Sequence, residues 1–441
     1  MQFKFGDTFV KNISITLFRQ IFSAILQLCS VVVLARILGP EGMGLYTLTI
    51  LIPQFLISIL NLGLPSSLVY YVANGSYTLK VSLYHTNKFL LFYLPLVLVV
   101  AGICLFFFSE QWFPELSSKL IFIGLLCLPF MLAQNVQISL LQALSDFKSF
   151  NLLTILQPLS FLLGVGVTAL LGSVDVIAVL RLFLLSQILV SIATRGRVLK
   201  LVPQALEENF NDSTFEFLSK NLKYGLKAFF SNITAMINYR ADLYLVGLLT
   251  NAASVGIYAI ALQISERLFI ISQAVSTVLL PKLSGLQEKK ELQVQITNVV
   301  AKWSFLISIL GGVSLFLLTK MLLVPFFGED YLSSLQPLAV LVVAACFSSY
   351  SRVLSNAIAA KNKPEWNLYV GIITSVVNVG FNIWLIPNYG IMGAAYATLA
   401  SFTLNFLLKI LVYTGIFQIN LKSLIDFSIE KKVIRSYMMK E

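Results

Sequence analysis

Leu34-Ala35-Arg36-Ile37-Leu38-Gly39-Pro40-Glu41-Gly42-Met43-Gly44-Leu45-Tyr46-Thr47-Leu48 joins two long apolar runs and decides how the rest of the chain is read. A weaker echo, Leu245-Val246-Gly247-Leu248-Leu249-Thr250-Asn251-Ala252-Ala253-Ser254-Val255-Gly256-Ile257-Tyr258-Ala259-Ile260, answers Gly44-Leu45-Tyr46 with Gly256-Ile257-Tyr258 nearly half the chain later. Each copy stands at the turn between the first two apolar runs of its own half. The chain therefore reads as two related halves.

Apolar residues make up 58% of the sequence and charged ones 12%, and the mean hydropathy is +0.86, values outside the range of soluble domains. The apolar runs are continuous and about 20 residues long, which fits helical crossings of a bilayer and excludes the ~10-residue alternating strands of a barrel. Candidate spans fall at 13–35, 44–64, 88–108, 119–141, 151–171, 175–194, 224–248, 255–279, 299–319, 335–359, 366–386 and 390–412. The expected fold is an all-α integral membrane protein of about twelve transmembrane helices. It divides into a six-helix lobe at 1–194, a cytoplasmic linker at 195–223, a second six-helix lobe at 224–412 and a basic tail at 413–441 along the inner surface. Six crossings return the chain to its starting side, so the lobes are expected to be parallel repeats related by a pseudo-twofold along the membrane normal.

Of the 31 Lys and Arg residues, 21 fall in segments on the side of the N-terminus, and Arg36, Lys119 and Lys320 alone fall opposite. By the positive-inside rule both termini are cytoplasmic. The net charge of +11 is thus a topology signal rather than a nucleic-acid footprint, since it is scattered and has no interleaved aromatics. The four cysteines, all in apolar runs without metal-ligand spacing, read as reduced packing residues. The first apolar run is too long for a signal-peptide core and is expected to be retained as a span. His85, beside the inner end of the third span, reads as a solvated loop residue, with a proton relay as the alternative. There is no Walker-type loop, no metal-spaced His/Cys cluster and no nucleophile elbow, and the outer loops are short. A transporter without cofactor or metal is expected, not an enzyme.

Polar residues within the spans form stripes at helical spacing. Thr16, Arg19, Gln20, Ser23, Gln27 and Ser30 share one face of the first span, and Ser231, Thr234, Asn238 and Asp242 one face of the seventh. Gln263, Glu266 and Arg267 stand on the eighth, Ser348, Arg352, Ser355 and Asn356 on the tenth, and Ser375, Asn378 and Asn382 on the eleventh. Shared polar faces on this many spans imply an aqueous cavity, although any one Ser, Thr or Asn can equally serve an interhelical hydrogen bond. Arginines carry more information, because each costs roughly 2.5–3.5 kcal/mol near a span centre. Arg19, Arg181, Arg240, Arg267 and Arg352 lie within spans against only two carboxylates at comparable depth, Asp242 and Glu266. Arg181 and Arg352 are near enough to span ends to snorkel, as are Lys227 and Lys409. Arg240 points away from Asp242 around its own helix and needs a partner elsewhere. Such a cationic interior suits an anion, and guanidinium is the bidentate partner of phosphate.

The run Ala35 to Tyr46, Gly63-Leu64, Arg240-x-Asp242 before Gly256-Ile257-Tyr258, and Asn378 with Ile386-Pro387-Asn388-Tyr389-Gly390-Ile391-Met392-Gly393-Ala394-Ala395-Tyr396-Ala397-Thr398 resemble the O-antigen type polysaccharide flippases of the MATE-like MOP superfamily. The resemblance spans essentially the whole chain. It implies two lobes around a central cavity, alternating access in the bacterial plasma membrane, and undecaprenyl-pyrophosphate-linked oligosaccharide as the substrate moved to the outer leaflet. It implies that Arg19, Arg240 and Arg267 line the cavity. Arg352 is counted with them as a pyrophosphate candidate, Gln20, Ser23, Gln27, Asn238, Gln263 and Asn378 as polar lining, and Asp242 and Glu266 as candidates for ion coupling. Membrane lipid, a polysaccharide polymerase and chain-length proteins are the partners it suggests. A multidrug or peptidoglycan-precursor exporter of the same fold is the alternative. A glycan polymerase fits less well, for want of a large external loop.

Overall fold

A backbone N–H or C=O in hydrocarbon has no water to bond, so a chain with these runs must satisfy its main chain within helices. The computed structural model describes residues 7–172, 174–202, 213–286 and 289–425, apart from the side chains of residues 7–20, 227, 277, 281 and 425. Among the described residues the elements are α1 (Asp7–Leu60), α2 (Leu64–Ala73), α3 (Leu79–Trp112), α4 (Ser118–Ala143), α5 (Phe147–Leu171), α6 (Val176–Leu201), α7 (Thr214–Leu249), α8 (Ala252–Ser265), α9 (Phe269–Ser284), α10 (Lys290–Phe327), α11 (Leu335–Ala360), α12 (Glu365–Tyr389), α13 (Ile391–Phe417) and the short α14 (Lys422–Ile425). Two 3₁₀ turns, Glu266–Leu268 and Glu329–Ser334, join α8 to α9 and precede α11.

Ten segments among the described residues are long and apolar enough to cross a membrane. One of them, Ile21–Leu60, has 40 residues and would reach ~60 Å as a straight helix, twice the hydrocarbon thickness. Gly39, at φ 64° and ψ −178°, breaks it into two arms. A side chain there would meet the left-handed penalty that glycine escapes. With those arms counted separately and the more polar α7 added, helix is found at all twelve predicted spans. Two features were not anticipated: the short helix α2, and the 3₁₀ break that interrupts the eighth span at Glu266. The helices also run into the predicted linker, with α6 reaching Leu201 and α7 starting at Thr214. The tail expected along the inner surface lies outside the described residues from 426 onward.

The chain forms two compact units, Met1–Met236 with Asn251–Gly256, and Ile237–Thr250 with Ile257–Glu441. In the first, α1 packs on α4 and α5, and α4 on α2 and α6, with Leu68, Leu140, Val198 and Phe217 in the core. In the second, α11 packs on α9, α10 and α13, around Leu354, Ile358, Tyr413 and Phe417.

The two echoed motifs meet inside the first unit. A Cβ on Gly44 would stand 1.7 Å from the Ala252 carbonyl oxygen, and one on Gly256 2.0 Å from the Pro40 oxygen and 3.0 Å from the Gly44 nitrogen. The start of the second arm of α1 and the start of α8 therefore touch backbone to backbone. The Glu115 carboxylate accepts from the Ala252 N–H at 3.1 Å and caps α8 at this crossing.

Two sequence expectations are corrected. His85 is not a solvated loop residue: it is 2% exposed in the first turns of α3, its Nδ1 is 3.0 Å from Thr214 Oγ1, and its ring stacks on Phe217 with centroids 5.0 Å apart. The start of α7 covers it. That start is fixed by a capping box in which the Glu216 N–H donates to Ser213 Oγ and the Ser213 N–H to Glu216 Oε2. Lys409 does not snorkel. It is 3% exposed on α13, because Asn367 of α12 offers its Oδ1 to the ammonium while donating its own Nδ2 to the Ser355 carbonyl.

Gly44→Ala should destabilise the detergent-solubilised protein by about 1–3 kcal/mol through overpacking, whereas Gly102→Ala in α3, where a Cβ would meet nothing within 4 Å, should stabilise by roughly 0.5–1 kcal/mol. Thermal melts of the two variants beside the parent check this. A second expectation concerns Asp146, which caps α5 through the Ser149 N–H and pairs with Arg197 at 2.7 Å. Partial burial pushes its carboxyl upward, but hydrogen bonds from Ser149 and Arg197 outweigh burial and hold it below the usual carboxylate value. A lowered folded-state value means the contribution is fully present above the ordinary carboxylate pKa of about 3.9 and is lost as pH falls through the lower value. Asp146→Asn should flatten the melting temperature against pH below about 4 and leave its slope at neutral pH unchanged.

Candidate functional site

The polar stripe of α7 organises the site in the second unit. Asn238 donates its Nδ2 to Ser375 Oγ at 2.5 Å and to the Gly371 carbonyl at 3.3 Å, tying α7 to α12. One turn on, Asp242 is 2% exposed and accepts three hydrogen bonds. The donors are Tyr258 Oη at 2.7 Å, the Leu243 N–H at 2.8 Å and Thr398 Oγ1 at 3.3 Å. Three donors on one carboxylate stabilise the charge that burial opposes.

Arg240 turns away from Asp242, as the helical spacing requires, and finds its partner on the 3₁₀ turn. Its Nη1 and Nη2 reach Glu266 Oε1 and Oε2 at 2.6 and 3.3 Å, and the side chains are 28% and 20% exposed. This fork-on-carboxylate geometry is the strong form of the ion pair. Arg267, half-buried in the same turn, lies within electrostatic reach of both Glu266 and Arg240. Arg352 of α11 is held differently: its Nη2 donates to Tyr239 Oη at 3.2 Å and its guanidinium lies over the Phe269 ring, 5.4 Å from the centroid. Among the described residues a phenol and a ring face, rather than a carboxylate, hold this cation. Asn238, Asp242, Ser265, Glu266 and Thr398, with Tyr239, Phe269 and Phe402, line a cavity of about 10 Å³, room for one water molecule.

The structure thus brings together Asn238, Arg240, Asp242, Glu266, Arg267 and Arg352. Gln263 is half-buried on α8. Asn378, predicted as cavity lining, is instead fully buried between α12 and α13, where it donates to Ser401 Oγ at 3.0 Å and accepts from Asn382 at 3.1 Å. Ser23 and Gln27 belong to the first unit, with Gln27 donating to Ser23 at 3.3 Å. The side chains of Arg19 and Gln20 lie outside the described residues. Sequence reasoning missed Tyr258, Thr398 and Tyr239 as partners of the charged groups. The first two were within reach, since Tyr258 is the tyrosine of the echoed motif and Thr398 ends the Gly393-to-Thr398 run. The corresponding tyrosine of the first motif, Tyr46, is instead a packing residue between Phe161 and Phe183, with centroids 6.1 and 6.3 Å away.

Among solved structures, the chain is similar to the lipid II flippase MurJ in an inward closed conformation, with a TM-score of 0.72 at 18% identity over 96% of this chain and 92% of that one. It is also similar to an inward-facing multidrug resistance MATE family transporter of the MOP superfamily, with a TM-score of 0.69 at 14% identity over 89% and 95% of the two chains. At these identities the likeness is one of fold. A Shigella flexneri protein provisionally named an O-antigen transporter is 24% identical over 433 residues, which cover 92% of this chain and 97% of that one. The profile described as polysaccharide biosynthesis protein matches residues 9–287, more than half of the sequence. A multi-pass helical membrane protein with this fold and this match, the chain belongs to the polysaccharide biosynthesis protein family.

Proposed function

We propose that the protein is a flippase that carries undecaprenyl-pyrophosphate-linked oligosaccharide repeat units across the bacterial plasma membrane by alternating access. Both termini face the cytoplasm, and the product serves O-antigen, capsule or exopolysaccharide assembly, handed on to a polymerase and chain-length proteins. The lobes at 1–194 and 224–412 are the parts that move against each other in this reading. The observation that carries it is the charge balance of the cluster formed by α7, the 3₁₀ turn Glu266–Leu268 and α11. Among the described residues Arg240, Arg267 and Arg352 stand with two carboxylates; Asp242 is already engaged by Tyr258, Thr398 and the Leu243 N–H, and Glu266 takes Arg240. Among the described residues, Arg352 rests on a phenol and a ring face, contacts that a pyrophosphate oxygen can supplement without breaking an ion pair. A multidrug exporter needs the opposite balance to hold a cationic drug.

In a strain lacking the endogenous flippase, Arg352→Ala should abolish surface polysaccharide while the protein remains in the membrane at parental level. Arg352→Lys should restore only part of it, because the ammonium loses the planar fork. Full function of Arg352→Ala would sink the clamp. Arg240→Ala, which strands Glu266, should cost about 1.5–3 kcal/mol of stability, and adding Glu266→Gln should recover most of that loss but none of the transport.

Glu266 is the better placed of the two carboxylates to couple flipping to a proton gradient. It is partly exposed and its partner Arg240 stands in the same cluster as Arg352, whereas Asp242 is enclosed by donors. In vesicles with an imposed pH gradient, Glu266→Gln should flip lipid-linked oligosaccharide at a rate indifferent to the gradient, and Asp242→Asn should lose stability but keep the response. A parental response from Glu266→Gln would shift the driving force to another ion, or to the membrane potential acting on the substrate's own charge.

A further inference from the structure

The start of α8 is held at more points than helix formation requires. Asn251 already caps it, its Oδ1 accepting the Ser254 N–H at 2.9 Å, which is what an N-cap side chain does for the third amide of a helix. The Ala252 N–H goes instead to a residue from much earlier in the chain, Glu115, at 3.1 Å. Ala252 is gripped by its carbonyl as well: the hydrogen that Gly44 carries in place of a side chain points at that oxygen, since a Cβ in its position would stand 1.7 Å away. Gly256 meets the Pro40 oxygen in the same manner, with 2.0 Å as the corresponding distance. Contacts of Cα–H groups with carbonyls are weak, whereas a carboxylate accepting from an amide is roughly twice as strong as a neutral hydrogen bond. The positive end of the helix dipole adds to it. Glu115 is therefore the strongest of these ties.

Its placement is fixed by its surroundings. Glu115 lies in the connection between Trp112, the end of α3, and Ser118, the start of α4. Its neighbour Leu116 is 8% exposed and donates its N–H to the Phe113 carbonyl at 3.0 Å, which anchors the connection. The segment it grips, Asn251–Gly256, groups with the first unit, although the chain on either side of it, Ile237–Thr250 and Ile257 onward, groups with the second. A short stretch of the second half of the chain is thus clipped to the first unit by main-chain contacts, and any movement away has to undo them. By the charge bias of the sequence the crossing lies on the side opposite the termini, the outer side.

We propose that Glu115 is a positioning residue for transport: its carboxylate latches the first turn of α8 at the outer crossing, and the latch opens when the substrate leaves on that side. The inference rests on the flippase reading for the cycle and adds the residue that sets the balance between the closed and open outer side. The test uses the full chain in right-side-out membrane vesicles and a membrane-impermeant maleimide. Cys29, Cys104 and Cys346 are replaced by serine, and Cys127, 0% exposed in α4, is kept as a control. Val255→Cys, at a position 0% exposed in the first turn of α8, reports opening. Glu115→Ala should raise the labelling rate at position 255 about tenfold or more, the loss of one charge-assisted bond. Glu115→Gln, which keeps an acceptor oxygen without its charge, should raise it by a smaller factor, and Cys127 should label as slowly as in the parent. Equal labelling of position 255 in the parent and Glu115→Ala overturns the latch. A rise at Cys127 in step with position 255 also overturns it, because that marks general loosening. In a second measurement Glu115→Cys and Ala253→Cys are joined by a short reducible cross-linker. Flipping of lipid-linked oligosaccharide should stop and return on reduction, and a rate unchanged by the tether counts against the latch. The labelling is read without substrate. A parent protein that flips nothing therefore refutes the functional reading, whereas the latch stands or falls on accessibility.

Discussion

Hydrocarbon offers no hydrogen bonds, and every polar group that enters it must bring or find a partner. That constraint produces the all-helical backbone, and it acts equally on the side chains. Many of the hydroxyls within the spans satisfy it locally by donating to the carbonyl four residues back, as Ser30 does to Leu26 at 2.9 Å, Thr194 to Val190 at 2.7 Å and Thr234 to Phe230 at 2.8 Å. These residues need no cavity. Side chains that cannot close on their own helix, above all the guanidinium groups, tie distant helices together, and the arrangement of the second unit follows from where they find partners.

The Arg240–Glu266 pair illustrates the cost of that requirement. An uninterrupted helix carries its side chains around a fixed screw; here the helix gives way to a 3₁₀ turn at Glu266–Leu268, with Glu266 opposite Arg240 and Leu268 against Gly311 and Gly312 of α10. Tighter 3₁₀ geometry in mid-span is a common mark of a functional hinge. Asp242 meets the same constraint without a cation, by gathering a phenol, a hydroxyl and a backbone amide, and the two carboxylates thereby acquire different surroundings although both lie deep in the span region.

The spans were legible because continuous hydrophobicity is a one-dimensional property, and the sequence alone located helix at all twelve. That Arg240 could not pair with Asp242 was also legible, from the helical angle between them. Its partner was not, because the choice of Glu266 depends on the break after Ser265, which leaves no mark in composition. His85 was misread for a related reason: its flanks, Tyr84 and Thr86 with Lys80 and Lys88 nearby, look like a wet span end, and its cover comes from Thr214 and Phe217 far along the chain. Lys409 was misread because snorkelling is the default for a lysine in lipid, and Asn367 removes the need. Periodicity put Asn378 on a polar face but could not say that the face met another helix rather than water.

The crossing of Gly44 and Gly256 differs from all of these contacts in being made of absent atoms. At Arg240 or Asp242 a replacement can be ranked by charge, length or hydrogen-bonding capacity, so that some substitutions are milder than others. At the two glycines the first atom beyond Cα already overlaps a main-chain carbonyl, and every other amino acid contributes that same atom. The two positions have no conservative neighbour in chemical space, and since the clearance at each is taken by main-chain atoms, of Ala252 at Gly44 and of Pro40 at Gly256, no change of side chain elsewhere can make room.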